Sequence, residues 1–312
     1  MKQDVLCVGS ALADVTSWPV DTKELAHHHV RAEQTGIGPG GCAGNVSLGL
    51  AALGKSVSLA ARVGTDATGS LLRNMFEKRG VESTYLVVDQ VCPTGITLVL
   101  VDPAGERRFI YTPGANARLC PADLEAVSLS FFRVLHVSDF FLLPELEGQV
   151  MVQLLVSARN AGLMTSMDTI WDPSGRWMDL LKPCIAHLNV LFVSEEEADH
   201  LLPGLGPHEV VTRLLQLGAE TVVLKQGEAG SLVASGERRV SIQARKITPR
   251  DTTGAGDAYV AAFLAAVLEG LELERAAALA SRFAEEIILH MGATAGMKTY
   301  ASVADFGNIM GS

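Results

Sequence analysis

The chain has 312 residues, of which 48% are apolar and 19% charged, with no low-complexity tract. This composition is sufficient for one large buried core and excludes an intrinsically disordered chain, so we expect a single domain over 1–312. The formal net charge of −10, with no stripe of Lys and Arg, argues against a nucleic-acid partner, because such binding depends on many basic contacts to phosphates.

The N-terminal segment MKQDVLCVGSALADV predicts a first strand. Asp4 and Asp14 interrupt its apolar run, so it is neither a signal peptide nor a membrane span. The cysteines are odd in number, scattered and without paired metal-ligand spacing, which is typical of reduced thiols. These features predict a cytoplasmic protein with no membrane partner.

Short β-branched runs alternate with helical patterns along most of the chain. In chain order the predicted elements are a strand at 4–9, a helix at 42–53, a strand at 57–62, a helix at 68–79, a strand at 134–138, a helix at 148–161, strands at 163–168 and 189–193, two helices within 195–217, a strand at 221–225, and a helical tail at 255–291 broken near Gly270. This alternation is typical of an α/β fold with a mostly parallel sheet covered by helices on both faces.

Two stretches depart from the alternation. Strands at 15–20 and 30–37, and at 85–88, 95–101 and 107–111, follow one another without intervening helices. Asp102-Pro103-Ala104-Gly105 is a good turn between two of them. We therefore predict a small antiparallel sheet, formed by about 15–37 and 85–111, that projects from the main sheet.

The sequence contains an apparent phosphate loop at 49–56, GLAALGKS, which fits the pattern G-x-x-x-x-G-K-S. A true phosphate loop leaves a strand and opens a helix. Here an apolar helix precedes Gly54, which suits the helix C-terminus, and a strand follows. Because the order of elements is reversed, we reject a phosphate loop at this position.

The segment Gly36-Ile37-Gly38-Pro39-Gly40-Gly41 fits the dinucleotide pattern G-x-G-x-x-G. It does not follow the first strand, and Pro39 removes one amide donor. No acidic residue lies about twenty positions onward to bind a ribose hydroxyl. An NAD-dependent dehydrogenase is therefore disfavoured.

The turn Asp251-Thr252-Thr253-Gly254-Ala255-Gly256-Asp257, followed by an apolar helix, has the context of an anion site. The two glycines allow close backbone approach, and the unpaired N–H groups of the helix start bind anions without a side-chain cation. An acidic protein that handles a nucleotide needs such a local positive potential. The helix dipole alone would explain a lone Asp257, but the glycines and Asp251 favour a functional turn.

Two signatures carry a family resemblance. DTTGAGDAYVAAFL at 251–264 resembles the C-terminal signature of PfkB kinases, and GGCAGNVSLGLAALG at 40–54 resembles their N-terminal signature. Order, spacing and chain length also match, as do Asp14 after the opening strand and the segment PGAN at 113–116. The resemblance covers nearly the whole chain and implies a ribokinase-like fold. It also implies ATP-dependent phosphorylation of a hydroxyl, a primary alcohol, of a sugar or sugar-like small molecule.

The resemblance assigns the catalytic roles to the 251–257 turn. It implies that Asp257 is the base that takes the proton from the acceptor hydroxyl. It also implies that the amides of Gly254, Ala255 and Gly256 hold the charge of the transferring phosphoryl group. Phosphoryl transfer depends on positioning and electrostatic stabilisation, and the base only has to accept a proton as the new bond forms.

The resemblance also places Asp14, Gly40, Gly41 and Asn45 around the acceptor hydroxyls. A carboxylate and an amide can accept from and donate to vicinal hydroxyls, while Gly41 permits close backbone approach. Taken alone, Asp14 is equally well explained as a turn residue and Asn45 as a helix-start residue. Asp139 is a further candidate because it follows a strand at the carboxyl end, where open α/β sheets bind ligands.

The nucleotide and metal residues also follow from the resemblance. Glu197 is implied in organising Mg2+ through water, although Ser194 stands where the family usually has Asn, and acidic residues at a helix start are also favoured by the dipole. Asp251 and Thr253 resemble part of a K+ site, so K+ is an optional cofactor beside ATP and Mg2+. Lys225 could equally be a surface lysine. The implied nucleotide contacts are Lys225, Gly227, Thr252, Gly254, Gly256 and Gly292.

The predicted antiparallel strands resemble the family's lid, which covers the acceptor and often pairs with a second subunit. A lid excludes water that would otherwise accept the phosphoryl group. We therefore expect a homodimer formed through the lid. His27-His28-His29 lies in this region, and we interpret it as solvated surface and not as a metal site.

Three alternatives stay open. A nucleoside kinase of the same fold needs an aromatic or apolar slot, which Trp18, Phe140 and Phe141 could provide, although they could equally be lid and core residues. An acid-sugar kinase would pair a substrate carboxylate with an arginine such as Arg176. A non-catalytic sugar-sensing protein could also keep the fold, which the Ser194 departure favours and the intact 254–257 turn disfavours. A phosphosugar acceptor is less favoured because there is no convincing basic cluster near the predicted acceptor side, although Arg107 and Arg108 in the predicted lid keep it open.

Overall fold

A computed structural model describes residues 2–21, 29–103, 107–301 and 303–310. Its strands, in chain order, are β1 (Gln3–Val8), β2 (Leu12–Trp18), β3 (Gln34–Gly40), β4 (Val57–Gly64), β5 (Val81–Glu82), β6 (Leu86–Asp89), β7 (Ile96–Val101), β8 (Arg107–Thr112), β9 (Phe132–Val137), β10 (Met164–Asp168), β11 (Val190–Ser194), β12 (Thr221–Lys225), β13 (Ser231–Ser235) and β14 (Arg238–Ile242). Its helices are α1 (Cys42–Ala52), α2 (Ala67–Lys78), α3 (Pro121–Leu124), α4 (Gln149–Asn160), α5 (Trp177–Ile185), α6 (Glu195–Leu201), α7 (Pro207–Gln216), α8 (Ala255–Leu268), α9 (Leu273–Ile287) and α10 (Val303–Met310).

The main sheet has ten strands, nine of them in the order β14-β13-β12-β11-β10-β9-β1-β4-β5, with β6 pairing beside β4. Its centre is parallel: β1 lies between β9 and β4, with Val5 opposite Val134 on one side and Val57 on the other. Only β13 and β14 run antiparallel to their neighbours among these strands. The predicted mostly parallel α/β sheet is confirmed.

Helices cover both faces of the sheet, and each face has its own apolar core. On one face α1, α8 and α9 bury side chains such as Leu50, Phe263 and Phe283. On the other face α4 to α7 bury side chains such as Leu155 and Leu214. Helix α8 lies within the first core on all sides, which explains why its sequence from 258 to 266 is apolar without a polar stripe.

The second sheet has the order β3-β2-β7-β8. The pairs β2–β3 and β7–β8 are antiparallel hairpin pairs, and β2–β7 is parallel, with Asp14 opposite both Gly38 and Thr97. We call this sheet the lid sheet. The prediction that 85–88 belongs to it is wrong, because β6 pairs in parallel with β4 of the main sheet. Of the other features predicted here, 22–28, including His27 and His28, and 104–106, in the predicted turn, lie outside the described residues; His29 is exposed.

The rejected nucleotide motifs are explained by the elements that contain them. Helix α1 ends at Ala52, and Gly54 follows it with a φ of +76°, before β4 begins. This is a helix C-terminus, where a left-handed glycine is favoured. The G-x-G-x-x-G segment runs along lid strand β3 and ends at Gly41, the N-cap of α1. Neither segment joins a strand to a helix in the way its motif requires.

Among the described residues, no helix is both long enough and apolar enough to cross a lipid bilayer.

Candidate active site

The parallel topology brings several polar residues to one edge of the main sheet. Asp168, Ser194 and Lys225 are the last residues of adjacent strands β10, β11 and β12, and Asp139 follows β9 by two residues. The carboxyl ends of parallel strands share an edge, which is where open α/β sheets bind ligands. The start of α8 comes to the same edge, since Lys225 Nζ lies within contact range of Gly256.

The 251–257 turn is shaped by Gly254, the N-cap of α8. Its φ is +77°, and a Cβ at this position would lie 2.7–2.8 Å from Ala293. Only glycine combines that dihedral with so close a neighbour. The N–H groups of the first turn of α8 have no partner within the helix and can bind an anion, although that of Ala255 makes a long contact of 3.3 Å to the Thr252 carbonyl.

Asp257 lies in the first turn of α8 and is buried. One carboxylate oxygen accepts a hydrogen bond from the side-chain amide of Asn45, at 2.9 Å, across the interface between α1 and α8. Burial raises the pKa of Asp257 to about 6, the negative charge of Asp139 adds to this rise, and the Asn45 hydrogen bond opposes it. The side chain is thus a carboxylate at neutral pH but a better proton acceptor than an exposed aspartate.

Asp14 lies on β2 of the lid sheet, beside the start of α1. Gly40, on the neighbouring strand β3, must be glycine, because a Cβ there would lie 2.3–2.5 Å from the Asp14 carboxyl group. Burial and the nearby Asp257 charge raise the pKa of Asp14 to about 7. Gly41, with a φ of +83°, turns the chain from this strand into α1, and its missing side chain leaves room for Ser10.

Asp139 is committed to contacts inside the protein. Its Oδ2 accepts from the N–H and hydroxyl of Ser10 at 3.0 and 2.8 Å and from the N–H of Ala43 at 3.2 Å. Its Oδ1 accepts from the N–H of Cys42 at 3.3 Å. These contacts cap the start of α1, which Gly41 cannot do with a side chain. The contacts therefore favour a positioning role over the predicted direct binding of the acceptor.

A cavity of about 700 Å3 lies between the lid sheet and the main-sheet edge. Asp14, Asn45 and Asp257 belong to its polar lining, and its apolar and aromatic lining residues are called its apolar side. We call it the acceptor cavity. Its lining residues include Asp14, Gly41, Cys42, Asn45, Thr97, Phe109, Tyr111, Asp139, Leu142, Ile170, Trp171, Glu197, Thr253, Gly254 and Asp257.

A second cavity of about 400 Å3 lies on the other side of the 251–257 turn, and we call it the nucleotide cavity. Thr252, Ala255 and Gly256 line it from the turn, and Thr252 lines the acceptor cavity as well. Lys225 and Gly227 line it from the end of β12, as the sequence predicted for a nucleotide contact. Gly292 instead borders a third cavity beneath the lid sheet, and its N–H donates to Asp251 at 2.8 Å.

Comparison with known proteins identifies the family. The pfkB family carbohydrate kinase model matches residues 2–300. The chain belongs to the PfkB family of carbohydrate kinases. It is 30% identical to a fructokinase of Klebsiella pneumoniae over 73% of this chain and 76% of that protein. It is 27% identical to the ribokinase of Bacillus subtilis over 97% and 99% of the two chains.

The fold of this PfkB chain is also that of solved ribokinases. The ribokinase of Arabidopsis thaliana, complexed with ribose and ATP, superposes with a TM-score of 0.81 at 24% identity. The alignment covers 98% of this chain and 99% of that chain. The predicted ribokinase-like fold and the kinase class, a sugar or nucleoside kinase, are thereby confirmed.

The Lys225 side chain of this kinase is not a free surface lysine. Its Nζ lies 2.6 Å from Asp168 Oδ1, and little of either side chain is exposed. Burial disfavours the ammonium form, but the charges of Asp168 and Glu197 outweigh burial and raise the pKa of Lys225. Lys225 therefore remains a cation on the wall of the nucleotide cavity, beside Gly256.

Glu197 and Ser194 form a capping box at the start of α6. The Ser194 hydroxyl accepts from the Glu197 N–H at 3.2 Å, and Glu197 Oε2 accepts from the Ser194 N–H at 2.9 Å. Thr169 donates to the same Oε2 at 2.8 Å. Serine in place of the family's asparagine thus serves as an N-cap, and Glu197 still lines the acceptor cavity.

The carboxylates near the Lys225 ion pair fit a Mg2+ ion that binds together with a nucleotide. Within the described ranges, no group of three or more His, Cys, Asp or Glu side chains could form a metal cage. Mg2+ typically keeps several waters and binds one or two carboxylates plus substrate phosphates. Glu197, beside the Lys225 ion pair, is a suitable single carboxylate for such an ion.

Several residues that received no site role in the sequence analysis complete the site. Arg107 of β8 donates to the Thr253 hydroxyl at 3.0 Å and lies 3.8 Å from Asp251. The lid sheet therefore directly contacts the 251–257 turn, which we call the anion turn. Trp171 lies on the apolar side of the acceptor cavity with 47% of its surface exposed. Asp168 fixes Lys225. Only their positions after strands or in the lid could have suggested them.

The residues that the sequence offered for binding a nucleoside or an acid sugar do not line the acceptor cavity. Phe140 and Phe141 are buried in the core, and Trp18 borders the cavity beneath the lid. Arg176 is bound to Ser174 and Glu147 and does not line the acceptor cavity. Trp18 is therefore a lid residue and Phe140 and Phe141 are core residues, which is the second of the two interpretations that the sequence left open, and Arg176 offers no carboxylate contact in the acceptor cavity.

Proposed function

We propose that this PfkB kinase transfers the γ-phosphoryl group of Mg-ATP to a primary hydroxyl of a sugar or sugar-like acceptor. The observation that carries the proposal is the position of the 251–257 turn between the two cavities. Asp257 faces the acceptor cavity, while Ala255 and Gly256 face the nucleotide cavity. A phosphoryl group that passes from one cavity to the other must cross the N–H groups of this turn.

In the proposed reaction, Asp257 accepts the proton of the acceptor hydroxyl as its oxygen bonds to the γ-phosphorus. The bond from that phosphorus to the β–γ bridging oxygen breaks, and ADP leaves with the electron pair. The N–H groups of Gly254, Ala255 and Gly256 stabilise the charge on the transferring group. The raised pKa of Asp257 supports its role as base, since it is ionised at pH 7 yet accepts a proton readily.

The proposed acceptor contacts are Asp14 and Asn45. The Asn45 amide nitrogen is used by Asp257, while its oxygen is buried without a partner among the described residues. A buried carbonyl oxygen without a donor is costly, and an acceptor hydroxyl would satisfy it. Asp14, which lines the same cavity, can accept from a second hydroxyl.

The proposed nucleotide contacts come from the end of β12 and the anion turn. Lys225 supplies the local cation and Gly227 the backbone approach, and both line the nucleotide cavity. When bound, Mg2+ neutralises the phosphate oxygens, and Glu197 would orient its water ligands. Binding of K+ is proposed only through backbone carbonyls, because both Asp251 oxygens already accept N–H groups, from Thr253 and Gly292.

A nucleoside is the second acceptor candidate, and the apolar side of the acceptor cavity favours it. Phe109 and Tyr111 from the lid and Ile170 and Trp171 from the main-sheet edge face this cavity. A nucleobase could pack among them while its ribose meets Asp14 and Asn45. A non-catalytic sugar sensor is less favoured, since it would have no use for a buried carboxylate at the anion turn.

A homodimer through the lid remains part of the proposal. One apolar residue from each lid strand lies in register on the outer face: Ile37, Val15, Leu98 and Ile110. Both isoleucines are 56% exposed. A second copy of the same face would cover this row.

The experiment is an ADP-release screen with Mg-ATP against pentoses, hexoses, keto-acid sugars and nucleosides, with Asp257→Asn beside the wild type. We expect turnover with one class of acceptor and its loss in Asp257→Asn. Measurable ATP binding without turnover on any acceptor would favour the sensor. Turnover that persists in Asp257→Asn would contradict the assignment of the base.

A further inference from the structure

Arg79, at the C-terminus of α2, lies outside every motif and lines neither the acceptor nor the nucleotide cavity. Its guanidinium donates to the hydroxyl and to the carbonyl oxygen of Thr294, both at 3.0 Å. These residues are 215 positions apart in the sequence. The arginine therefore holds the segment after α9 from a distant part of the chain.

That segment, 288–294, is the support of the anion turn. The N–H groups of Arg250 and Asp251 donate to Ile288, and Gly292 donates back to the Asp251 carboxylate. Ala293 packs so closely on Gly254 that a Cβ at 254 would lie 2.7 Å from it. The position of Ala293 thus sets the position of the anion turn.

The segment itself has little regular structure to hold it. Residues 290–297 form turns and bends, so their backbone N–H and C=O groups lack a helix or sheet ladder. In place of such a ladder, Arg79 makes two hydrogen bonds to one residue of the segment, Thr294. The planar guanidinium suits this role because its N–H groups point in fixed directions.

Arg79 has no acidic partner within the described ranges, and burial lowers its pKa. A cation that is partly withdrawn from water with only Thr294 as partner is costly. Arg79 is the C-cap of α2, and a cation at a helix C-terminus interacts favourably with the helix dipole, which offsets part of that cost. The remaining cost is explained if the two hydrogen bonds to Thr294 serve the site.

We propose that Arg79 is a positioning residue for phosphoryl transfer: through Thr294 and Ala293 it fixes the Gly254–Gly256 amides at the distance that the transferring phosphoryl group requires. This inference rests on the proposed function of the anion turn. A displacement of about 1 Å in such a group costs on the order of a hundredfold in rate. Loss of the two hydrogen bonds to Thr294 should therefore lower kcat much more than it weakens the binding of ADP.

The matched control is Arg73 on the same helix. It also donates to backbone carbonyls, those of Ser83 and Leu86, but these lie at β5 and β6, away from the anion turn. Arg73→Met removes a similar guanidinium from α2 and leaves the 288–294 segment unchanged. Any effect specific to Arg79→Met is then separated from loss of helix stability.

The test measures the affinity of the protein for Mg-ADP with and without aluminium fluoride, an anion that mimics the transferring phosphoryl group. In the wild type we expect aluminium fluoride to tighten ADP binding. In Arg79→Met this gain should fall by about tenfold or more, with ADP affinity alone changed less than about twofold. Arg79→Lys should recover part of the gain, and Arg73→Met should keep all of it.

Guanidinium ion adds a second measurement, because Arg79 borders the cavity of about 260 Å3 beneath the lid. Added guanidinium should restore part of the gain in ADP affinity caused by aluminium fluoride, and part of kcat, in Arg79→Ala. It should leave both quantities unchanged in Arg73→Ala. If Arg79→Met does not fold, Thr294→Val, which removes one of the two acceptors, should give a smaller loss of the same kind.

The inference is overturned if Arg79→Met and Thr294→Val keep the wild-type gain, or if both lose affinity for ADP alone to the same extent as with aluminium fluoride. A wild type that shows no gain would contradict the proposed anion turn instead. The two failures are therefore distinguishable.

Discussion

Replacing Asp257 with asparagine should make the protein inactive and at the same time more stable. The activity should fall by about a hundredfold or more, because the amide cannot accept the hydroxyl proton. The stability should rise at neutral pH, because the carboxylate is buried close to the charge of Asp139. The two effects have one cause, the environment that raises the pKa of Asp257.

The size of the stability gain follows from that pKa. Burial raises it from 3.8 to about 6, and each pKa unit corresponds to about 1.4 kcal/mol, so the ionised group costs the folded state ~3 kcal/mol. Below pH 3.8 the group is protonated in the folded and unfolded states, and the cost vanishes. Between pH 3.8 and 6 the cost grows with pH. Above pH 6 it is constant.

The assay is urea unfolding of wild type and Asp257→Asn from pH 4 to pH 8, with kcat measured on the same preparations. The difference in free energy of unfolding should be near zero at pH 4 and reach its maximum by about pH 7. Asp89→Asn is the matched control with the opposite sign. Asp89 is also buried, but N–H groups of Cys92 and Val91 and the Arg118 side chain lower its pKa to about 2.

Asp89 thus stabilises the fold above its unfolded pKa, and Asp89→Asn should destabilise the protein at pH 7. An Asp257→Asn protein that is no more stable at pH 8 than at pH 4, relative to wild type, would refute the pKa argument. Retention of kcat would refute the role of Asp257 as base.

Three further predictions concern the surroundings of the site. Asn45→Ala removes the hydrogen bond that lowers the pKa of Asp257, so the low-pH decline of kcat/KM should shift to higher pH. The measurement is a pH profile of kcat/KM for the variant and the wild type. An unchanged profile would show that the hydrogen bond does not affect the pKa of Asp257. Lys225→Met should destabilise the fold by about 1–3 kcal/mol, because it leaves Asp168, whose pKa burial already raises to about 7, buried without its hydrogen-bond partner. The double variant Lys225→Met/Asp168→Asn should recover stability in denaturant unfolding but not the KM for ATP, and a recovered KM would remove Lys225 from the nucleotide site. Gly254→Ala, with its positive φ and its close contact to Ala293, should lower both the melting temperature and kcat, whereas Gly270→Ala, with the same φ and open space around it, should lower the melting temperature alone.

The fold was largely predictable from local patterns. Helix and strand alternation and the two glycine-rich signatures are short-range features, and they gave the parallel sheet, α1 and α8 within a few residues. The reversed order of elements around Gly54 was sufficient to reject the phosphate loop. The placement of 85–88 was wrong because one short strand carries no information about which sheet edge it will join.

The roles of individual polar residues were less predictable. The carboxylate of Asp139 is used to cap α1 from another strand, and Lys225 is paired with Asp168 at the end of the neighbouring strand. Both contacts depend on which strands are adjacent. The sequence names the residue types but not their partners.

The sequence by itself determined the family, the α/β alternation and the position of the 251–257 turn, because each depends on residues close together in the chain. Only the tertiary structure decided what surrounds that turn. It brought Asn45 to Asp257, Arg107 to Thr253 and Arg79 to Thr294, pairs separated by 146 to 215 residues. Contacts at such separations arise from the packing of the sheet, its helices and the lid, and no local pattern in the chain encodes them.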